Sequence, residues 1–362
     1  MKILFHINSM CKGGAERVAS VLIQSMVDDG AELVLASVSR DESEYDVPAS
    51  VRRIVLDEII GDAPRIVKIP KRYVVLRKVI KDEAPDVVIS FCNKANFRAS
   101  LAMTGVKIPL IVSVRNDPDR DYAPYGTMVR IMVGRADGCV FQTKAAQRWF
   151  PKKLQDKSRI IINPINDKYL GAEVTGEVSE GRIVTVGRIS AQKNQMLLLK
   201  AMSNLREKYP EVSLEIYGSD FGDGSKAAME RFIDDNHLTD NVRFMGLCDD
   251  LETRLQGAIF VLPSDYEGMP NALMEAMAIG LPVISTDCPC GGPSDLIDDE
   301  RNGLLISVGD EKELTRALDR LLGDKDKRIA LGKEAMKIRE YADSATIYRQ
   351  WKEYIDCVVS HR

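Results

Sequence analysis

Short apolar runs and amphipathic stretches alternate along nearly the whole chain. Ile3 to Ile7 reads as a buried strand, followed by a glycine-containing loop from Asn8 to Gly14 and a helix with Val18, Val21, Leu22 and Ser25 on one face. Further strands are expected at Leu33–Ser37, Val87–Ser90, Pro109–Val114, Gly138–Phe141 and Arg159–Ile162, with helical stretches between most of them. The run Asn163-Pro164-Ile165-Asn166 breaks this rhythm, and the polar stretch from Lys168 to Glu180 reads as a linker. The alternation then restarts. Strands are expected at Arg182–Val186, Ser213–Tyr217, Val242–Met245, Ala258–Leu262, Pro282–Ser285 and Leu304–Ile306. Helices are expected near Asn194–Tyr209, Ser225–Asn236, Asn271–Ile279 and Glu311–Leu322. Strands alternating with helices in this way form parallel sheets covered on both faces. The fold class is therefore α/β, with two Rossmann-like, doubly wound halves, residues 1–166 and 167–342. Tyr348, Trp351, Tyr354 and Ile355 form an apolar stripe on a last helix, which requires a surface to pack on.

Composition narrows the function classes. The 362 residues carry 50 Lys and Arg against 54 Asp and Glu, a net charge of -4, which excludes a general nucleic-acid binder. Seven cysteines are scattered, only three histidines are present, and Cys288 and Cys290 form a lone C-x-C, so no zinc-site spacing exists. The thiols are expected to be reduced and no metal or other cofactor is expected. No apolar run approaches the ~18 residues of a membrane span, and the N-terminal apolar run is too short for a signal peptide. The expected location is cytoplasmic, or peripheral at the inner face of the cytoplasmic membrane.

Three strand–loop–helix junctions carry the candidate chemistry, because free N–H groups and the dipole at a helix start attract anions. The first is Lys12-Gly13-Gly14-Ala15-Glu16, where two glycines allow close backbone approach to a phosphate, or simply a tight turn. The dinucleotide fingerprint G-x-G-x-x-G is absent. The second is Gly187-Arg188 with Lys193, a bidentate fork and a point charge flanking a helix start where a diphosphate would lie. The third runs from Ser264 to Val283. Glu267 sits in a Gly/Pro loop, Pro270 sets the first helical turn, Asn271, Ala272 and Leu273 present amides, and Glu275 follows one turn on.

Gly-Gly-Ala-Glu near the N-terminus, Gly187-Arg188 with Lys193, and Glu267-Gly-Met-Pro-Asn-Ala-Leu-Met-Glu275-Ala-Met-Ala-Ile-Gly-Leu-Pro-Val together resemble the retaining glycosyltransferases of family 4. The resemblance spans nearly the whole chain. It implies the GT-B fold, with two Rossmann-like domains facing an interdomain cleft and a C-terminal helix of about 343–362 rejoining the first, acceptor-side domain. It implies a hexose or N-acetylhexosamine moved from a nucleotide sugar, UDP-linked, to a saccharide or polyprenyl-diphosphate-linked saccharide in surface-polysaccharide or glycolipid synthesis. Arg188 and Lys193 would clamp the diphosphate and Glu275 the ribose. Glu267 would touch the donor sugar. Asn271 to Leu273, Gly13 and Gly14 would add backbone donors, and Leu247 and Cys248 would lie near the base. An epimerase or phosphorylase on the same fold, or a non-catalytic nucleotide-binding module, are the alternatives.

One departure stands out. Where many relatives carry a His at a strand end near donor and acceptor, this chain reads Ser113-Val114-Arg115-Asn116. Arg115 and Asn116 are expected at the site, with Arg115 a permanent cation; a structural salt bridge is its other role. Finally, at ~100° per residue a helix over 70–81 places Lys71, Arg77, Lys78 and Lys81 on one face and Tyr73, Val75, Leu76, Val79 and Ile80 on the other. That basic stripe is either a solvated covering face or a contact for an anionic membrane surface or an acceptor's pyrophosphate.

Overall fold

The computed structural model describes every residue except Lys12, Glu42, Glu177, Val178 and Arg362. Lys12 of the glycine loop and two residues of the polar linker thus lie outside the described residues. Two compact units emerge, Met1–Pro164 with Ser344–Arg362, and Ile165–Asp343.

The first unit runs β1 (Lys2–Ile7), α1 (Gly14–Asp28), β2 (Glu32–Ser37), β3 (Arg52–Val55), α2 (Arg65–Glu83), β4 (Val87–Phe91), α3 (Asn93–Ala102), β5 (Leu110–Ser113), α4 (Gly126–Val133), β6 (Gly138–Phe141) and β7 (Ser158–Ile160), with shorter helical turns between. Its seven strands lie in the order β3-β2-β1-β4-β5-β6-β7, all parallel. Phe5 pairs with Leu35 on one side and Ile89 on the other. Burial on both faces explains why these strands read as continuous apolar runs. β3 escaped that reading because it is an edge strand with only two apolar residues, Ile54 and Val55. The closing helix Ser344–Ser360 packs on α1. Its Trp351 is fully buried, 5.6 Å from the Phe91 ring. Its Tyr354 hydroxyl accepts from Cys139 N at 2.7 Å and donates to the Lys157 carbonyl at 2.5 Å.

The second unit runs β8 (Arg182–Val186), α5 (Gln195–Leu205), β9 (Ser213–Tyr217), α6 (Ser225–Asp235), β10 (Val242–Gly246), β11 (Ile259–Leu262), α7 (Asn271–Ala278), β12 (Val283–Thr286), β13 (Leu304–Ile306) and α8 (Glu311–Gly323). Six parallel strands take the order β10-β9-β8-β11-β12-β13. The helix expected at Asn194–Tyr209 is shorter than its pattern. Asn194 is left-handed (φ 45°) and stands before the first turn, and the chain leaves the helix after Leu205, five residues ahead of Pro210.

Both sheets reverse their strand order once, between β1 and β4 and between β8 and β11. In open α/β sheets the crevice outside the strands' carboxyl ends at such a reversal is where ligands bind. The loops after β1 and β4, and after β8 and β11, are therefore the positions to inspect.

Candidate active site

In the second unit the two reversal loops are laced together. Gln192 O accepts from Asp265 N at 2.9 Å, Gln192 Nε2 donates to Tyr266 O at 3.0 Å, and Asn194 Nδ2 donates to Asp265 Oδ1 at 2.7 Å. This lacing carries Lys193 onto Glu267, with Nζ 2.5 Å from Oε1. Ser264 Oγ donates to the same oxygen at 2.7 Å, and the pair is largely shielded from water. Arg188 is exposed, and its guanidinium lies 4.9 Å over the ring of Phe221, itself on the loop after β9. Gln195 Nε2 holds the Arg188 carbonyl at 2.9 Å. A cation stacked on an aromatic face keeps its N–H edge available for an anion.

Pro270 caps α7, whose first backbone bond runs from Met274 N to Pro270 O at 3.2 Å. Asn271, Ala272 and Leu273 thus occupy the turn whose amides precede the helical ladder. Glu275 is buried on this helix, eight positions from Glu267. The loop after β12 backs the site. A Cβ on Gly292 would meet the Gly268 carbonyl at 1.7 Å, so glycine alone permits that approach. Burial, and behind it the charge of Glu267, pushes the Cys288 thiol up to about 12, so it is a neutral packing group. Leu247 and Cys248 follow β10 at the sheet edge, two strands from β8, with Leu247 80% exposed. They share the carboxyl end of the sheet with the lysine–glutamate pair without contacting it.

In the first unit, Gly13 caps α1 in extended backbone (φ -141°), and a Cβ there would meet Glu16 Oε2 at 2.4 Å. A side chain there would need only the flexible Glu16 carboxylate to swing aside. Gly14 begins the helix. Arg115 follows β5. Its guanidinium lies 4.9 Å over the Phe91 ring, donates to Asn163 Oδ1, and reaches Ser113 Oγ at 3.4 Å. No carboxylate lies within ion-pair distance of it among the described residues, so the structural salt bridge is not its role. Burial lowers its pKa to about 10, against which the nearby Cys92 and Glu16 act, and it stays charged at neutral pH. Gln142 Nε2 donates to the same Asn163 oxygen at 2.5 Å. Asn116 Nδ2 reaches Asp121 Oδ1 at 3.2 Å.

The basic stripe is corrected in part. The helix spans Arg65–Glu83, and Lys71, Lys78 and Lys81 are exposed. Arg77 is not part of a free stripe: its guanidinium donates to the carbonyls of Ala102 and Thr104, both at 2.7 Å, and ties down the end of α3. Sequence reasoning also missed a trio at the carboxyl end of β1, two of whose members, His6 and Arg98, are buried. Arg98 donates to His6 Nε2 at 2.8 Å and to Asn8 Oδ1 at 3.1 Å, while His6 Nδ1 donates to the Ala36 carbonyl at 2.7 Å. The residue types were visible; their meeting across 92 positions was not. Asp117 and Asp119, on the turn after Asn116, are used locally, Asp117 capping a helical turn and Asp119 accepting from Trp149 Nε1 at 2.6 Å.

Comparison with known proteins fits this geometry. A glycosyl transferase 4-like domain model matches residues 13–165, and a glycosyl transferases group 1 model matches 174–338. The chain is 26% identical, over 98% of both sequences, to the Campylobacter jejuni GalNAc-α-(1→4)-GalNAc-α-(1→3)-diNAcBac-PP-undecaprenol α-1,4-N-acetyl-D-galactosaminyltransferase. It is 23% identical to an uncharacterized glycosyltransferase of Haemophilus influenzae, over 96% of this chain and 98% of that one. Among solved structures, HepE of Anabaena in complex with UDP and glucose aligns with a TM-score of 0.81 at 19% identity, covering 98% of this chain and 99% of that one. Sucrose-phosphate synthase of Thermosynechococcus elongatus aligns at 0.85 and 18% over the whole of both chains. With two matched domain models, relatives aligned end to end and two parallel Rossmann-like sheets, this chain belongs to the family 4-like glycosyltransferases of GT-B fold.

Proposed function

We propose that this glycosyltransferase moves a hexose or N-acetylhexosamine from a UDP-sugar to a saccharide carried on a polyprenyl diphosphate, with retention of the anomeric configuration and without a divalent metal. The observation that carries the reading is the meeting of Lys193, Glu267 and the α7 amides at the strand-order reversal, with Arg188 exposed at the loop beside them. The donor and acceptor classes are supported by relatives: HepE is described with UDP, and the Campylobacter enzyme is named for an undecaprenyl-diphosphate acceptor.

In the proposed step the bond from the sugar's anomeric carbon to the diphosphate oxygen breaks, and a bond from that carbon to the acceptor oxygen forms on the same face. The acceptor's hydroxyl proton passes to the departing phosphate oxygen. Negative charge grows on the diphosphate as the bond opens, so fixed donors there stabilise the transition state more than the ground state. Arg188 and Lys193 supply that charge, and Asn271 to Leu273 supply main-chain donors. Glu267, held by Lys193 and Ser264, faces the sugar ring, whose positive character it favours. Glu275 receives the ribose and Leu247 and Cys248 border the base. On the first unit, Arg115 and Asn116 follow β5 and Gly13 and Gly14 open α1, and we assign them to acceptor-side and backbone-donor roles.

The test is incubation with UDP-, GDP- and ADP-sugars, with and without EDTA. Release of UDP alone, unaffected by the chelator, and an α-linked product by NMR on a synthetic lipid-linked acceptor are expected. Release of another nucleotide, loss of activity with EDTA, or a β-linked product from an α-linked donor would each overturn the corresponding element.

A further inference from the structure

Building on the acceptor role assigned to the first unit, we infer that Arg115 selects an acceptor sugar that carries a carboxylate, a uronic acid, and that Gln142 beside it takes a hydroxyl of the same ring. Four neighbouring strands, β4, β5, β6 and β7, end on one polar cluster. Phe91 closes β4, Arg115 stands two residues past β5, Gln142 follows β6 at once, and Asn163 lies three residues past β7. Ligands gather outside the carboxyl ends of such sheets. The Phe91 ring lies under the Arg115 guanidinium, and Asn163 Oδ1 accepts from both Arg115 Nη2 and Gln142 Nε2. Turning the Gln142 amide over would set its oxygen against that of Asn163, so its orientation is fixed.

Two groups in this cluster lack a partner. Arg53 and Arg72 of the same unit each rest on a carboxylate, Glu44 at 2.7 Å and Asp57 at 2.6 Å. Among the described residues Arg115 has only neutral acceptors, Asn163 Oδ1 and, at 3.4 Å, Ser113 Oγ. Its Nε is sealed from water and donates to nothing. A desolvated cation without a counter-charge is costly, and violations of this kind gather at functional sites. Gln142 is 3% exposed and its Oε1 receives no donor. One group calls for an anion and the other for a hydroxyl.

Those two needs choose the ligand. An ionised phosphate diester or diphosphate offers acceptors only, so it would satisfy Arg115 and leave Gln142 Oε1 bare. A neutral sugar would satisfy Gln142 and leave the cation uncompensated. A sugar acid brings both: a planar carboxylate for the guanidinium fork and a hydroxyl on the adjacent ring carbon. Arg115 is partly exposed, so it can exchange the neutral oxygen of Asn163 for the charged one of the ligand.

The probes are the methyl glycosides of glucuronic, galacturonic and mannuronic acids, each against its own methyl ester, which keeps the ring and removes the charge. Calorimetry follows binding. At least one acid is expected to bind about ten- to a hundredfold more tightly than its ester. Arg115→Gln should bring that ratio to about one, and Arg115→Lys, charged but without the fork, should keep only part of it. If Arg115→Gln does not fold, the acid-to-ester comparison on the wild type decides. Equal binding of acid and ester throughout the series, an unchanged ratio in Arg115→Gln, or tighter binding of glucose 6-phosphate than of any acid would overturn the inference. So would faster nucleotide release from UDP-glucuronate than from UDP-glucose, which would put the carboxylate on the donor. UDP release without any acceptor reports the transfer reading separately. Release with no preference for an acid overturns the acceptor class alone, whereas acid binding without release from any UDP-sugar overturns the reaction and leaves the Arg115 site standing.

Discussion

Lys193 Nζ rests 2.5 Å from Glu267 Oε1, joining loops 74 positions apart at the reversal point of the second sheet. The pair is shielded, at 16% and 8% side-chain exposure, so neither charge is indifferent to losing the other. Lys193→Met strands a buried carboxylate and is expected to lower stability by about 3–5 kcal/mol. Lys193→Met with Glu267→Gln removes both charges and should recover most of that loss. Nucleotide release should stay low in both. Urea titration of the four members of the cycle checks this. A double variant as unstable as Lys193→Met would show that packing, not charge, governs the pair.

Phe221 places Arg188. The guanidinium lies 4.9 Å over the ring, an arrangement worth about 0.5–1 kcal/mol at an exposed site. Phe221→Leu should therefore raise the donor KM by roughly two- to fivefold with a smaller change in kcat, and Phe221→Tyr should restore it. Arg188→Ala removes the charge itself and should cost about 100-fold or more in kcat. Steady-state kinetics on the two positions separate orientation from charge. An equal effect of Phe221→Leu and Phe221→Tyr would refute the stacking role.

Arg77→Ala tests the corrected reading of the basic helix. Two carbonyls at the end of α3 lose their donor, so stability should fall by about 1–3 kcal/mol. Any binding of the exposed Lys71, Lys78 and Lys81 to anionic vesicles should change little. Thermal melting and co-sedimentation on one preparation distinguish the two effects. Weakened vesicle binding at full stability would return Arg77 to the stripe.

The strands that meet the core on both faces were legible because burial leaves one pattern, a continuous apolar run. β3 was not, since an edge strand carrying Arg52 and Arg53 has no such pattern. The motif residues Arg188, Lys193 and Glu267 were legible because loop–helix junctions punctuate a sequence with Gly and Pro. Their mutual arrangement was not: the spacing of Lys193 and Glu267 does not reveal that they pair with each other. Arg77 misled for a related reason. A helical wheel places a side chain on an arc, but the long arginine stem reached the end of the next helix. The Arg98–His6–Asn8 trio left no local signal at all, because it is assembled by strand topology.

The loop after β9 approaches the glycine that follows β8 so closely that only hydrogen fits. A Cβ on Gly218 would stand 2.0 Å from the Gly187 carbonyl, at φ +141°. Gly222, four residues on, has φ +80° and nothing within 4 Å. Gly222→Ala should therefore cost only about 1 kcal/mol of backbone strain. Gly218→Ala must push the Phe221 loop away from Arg188 and should cost several-fold more in stability, together with donor affinity. Isothermal titration with UDP on both variants decides. A Gly218→Ala protein with native melting and native UDP affinity would contradict the close approach.

His6 gives the fold an acid limit. It is buried, beside the charge of Arg98, and its pKa falls to about 3, desolvation being the larger cause. In the unfolded chain it titrates near its ordinary 6.5. Between these values the unfolded state binds a proton that the folded state refuses, so stability falls as pH falls through 6.5 and continues to fall until about pH 3. Each unit in that window removes about 1.4 kcal/mol, so from pH 7.5 to pH 5 the His6 contribution comes to about 2 kcal/mol. His6→Gln keeps a donor for the Ala36 carbonyl and an acceptor for Arg98 but cannot take up a proton. Carboxylates titrate alike in both proteins, so the difference between them isolates the histidine. Urea unfolding at pH 7.5 and pH 5 should show the wild type losing about 2 kcal/mol more than His6→Gln. Parallel losses would mean that the ring is protonated in the folded state, with Arg98 displaced from Nε2.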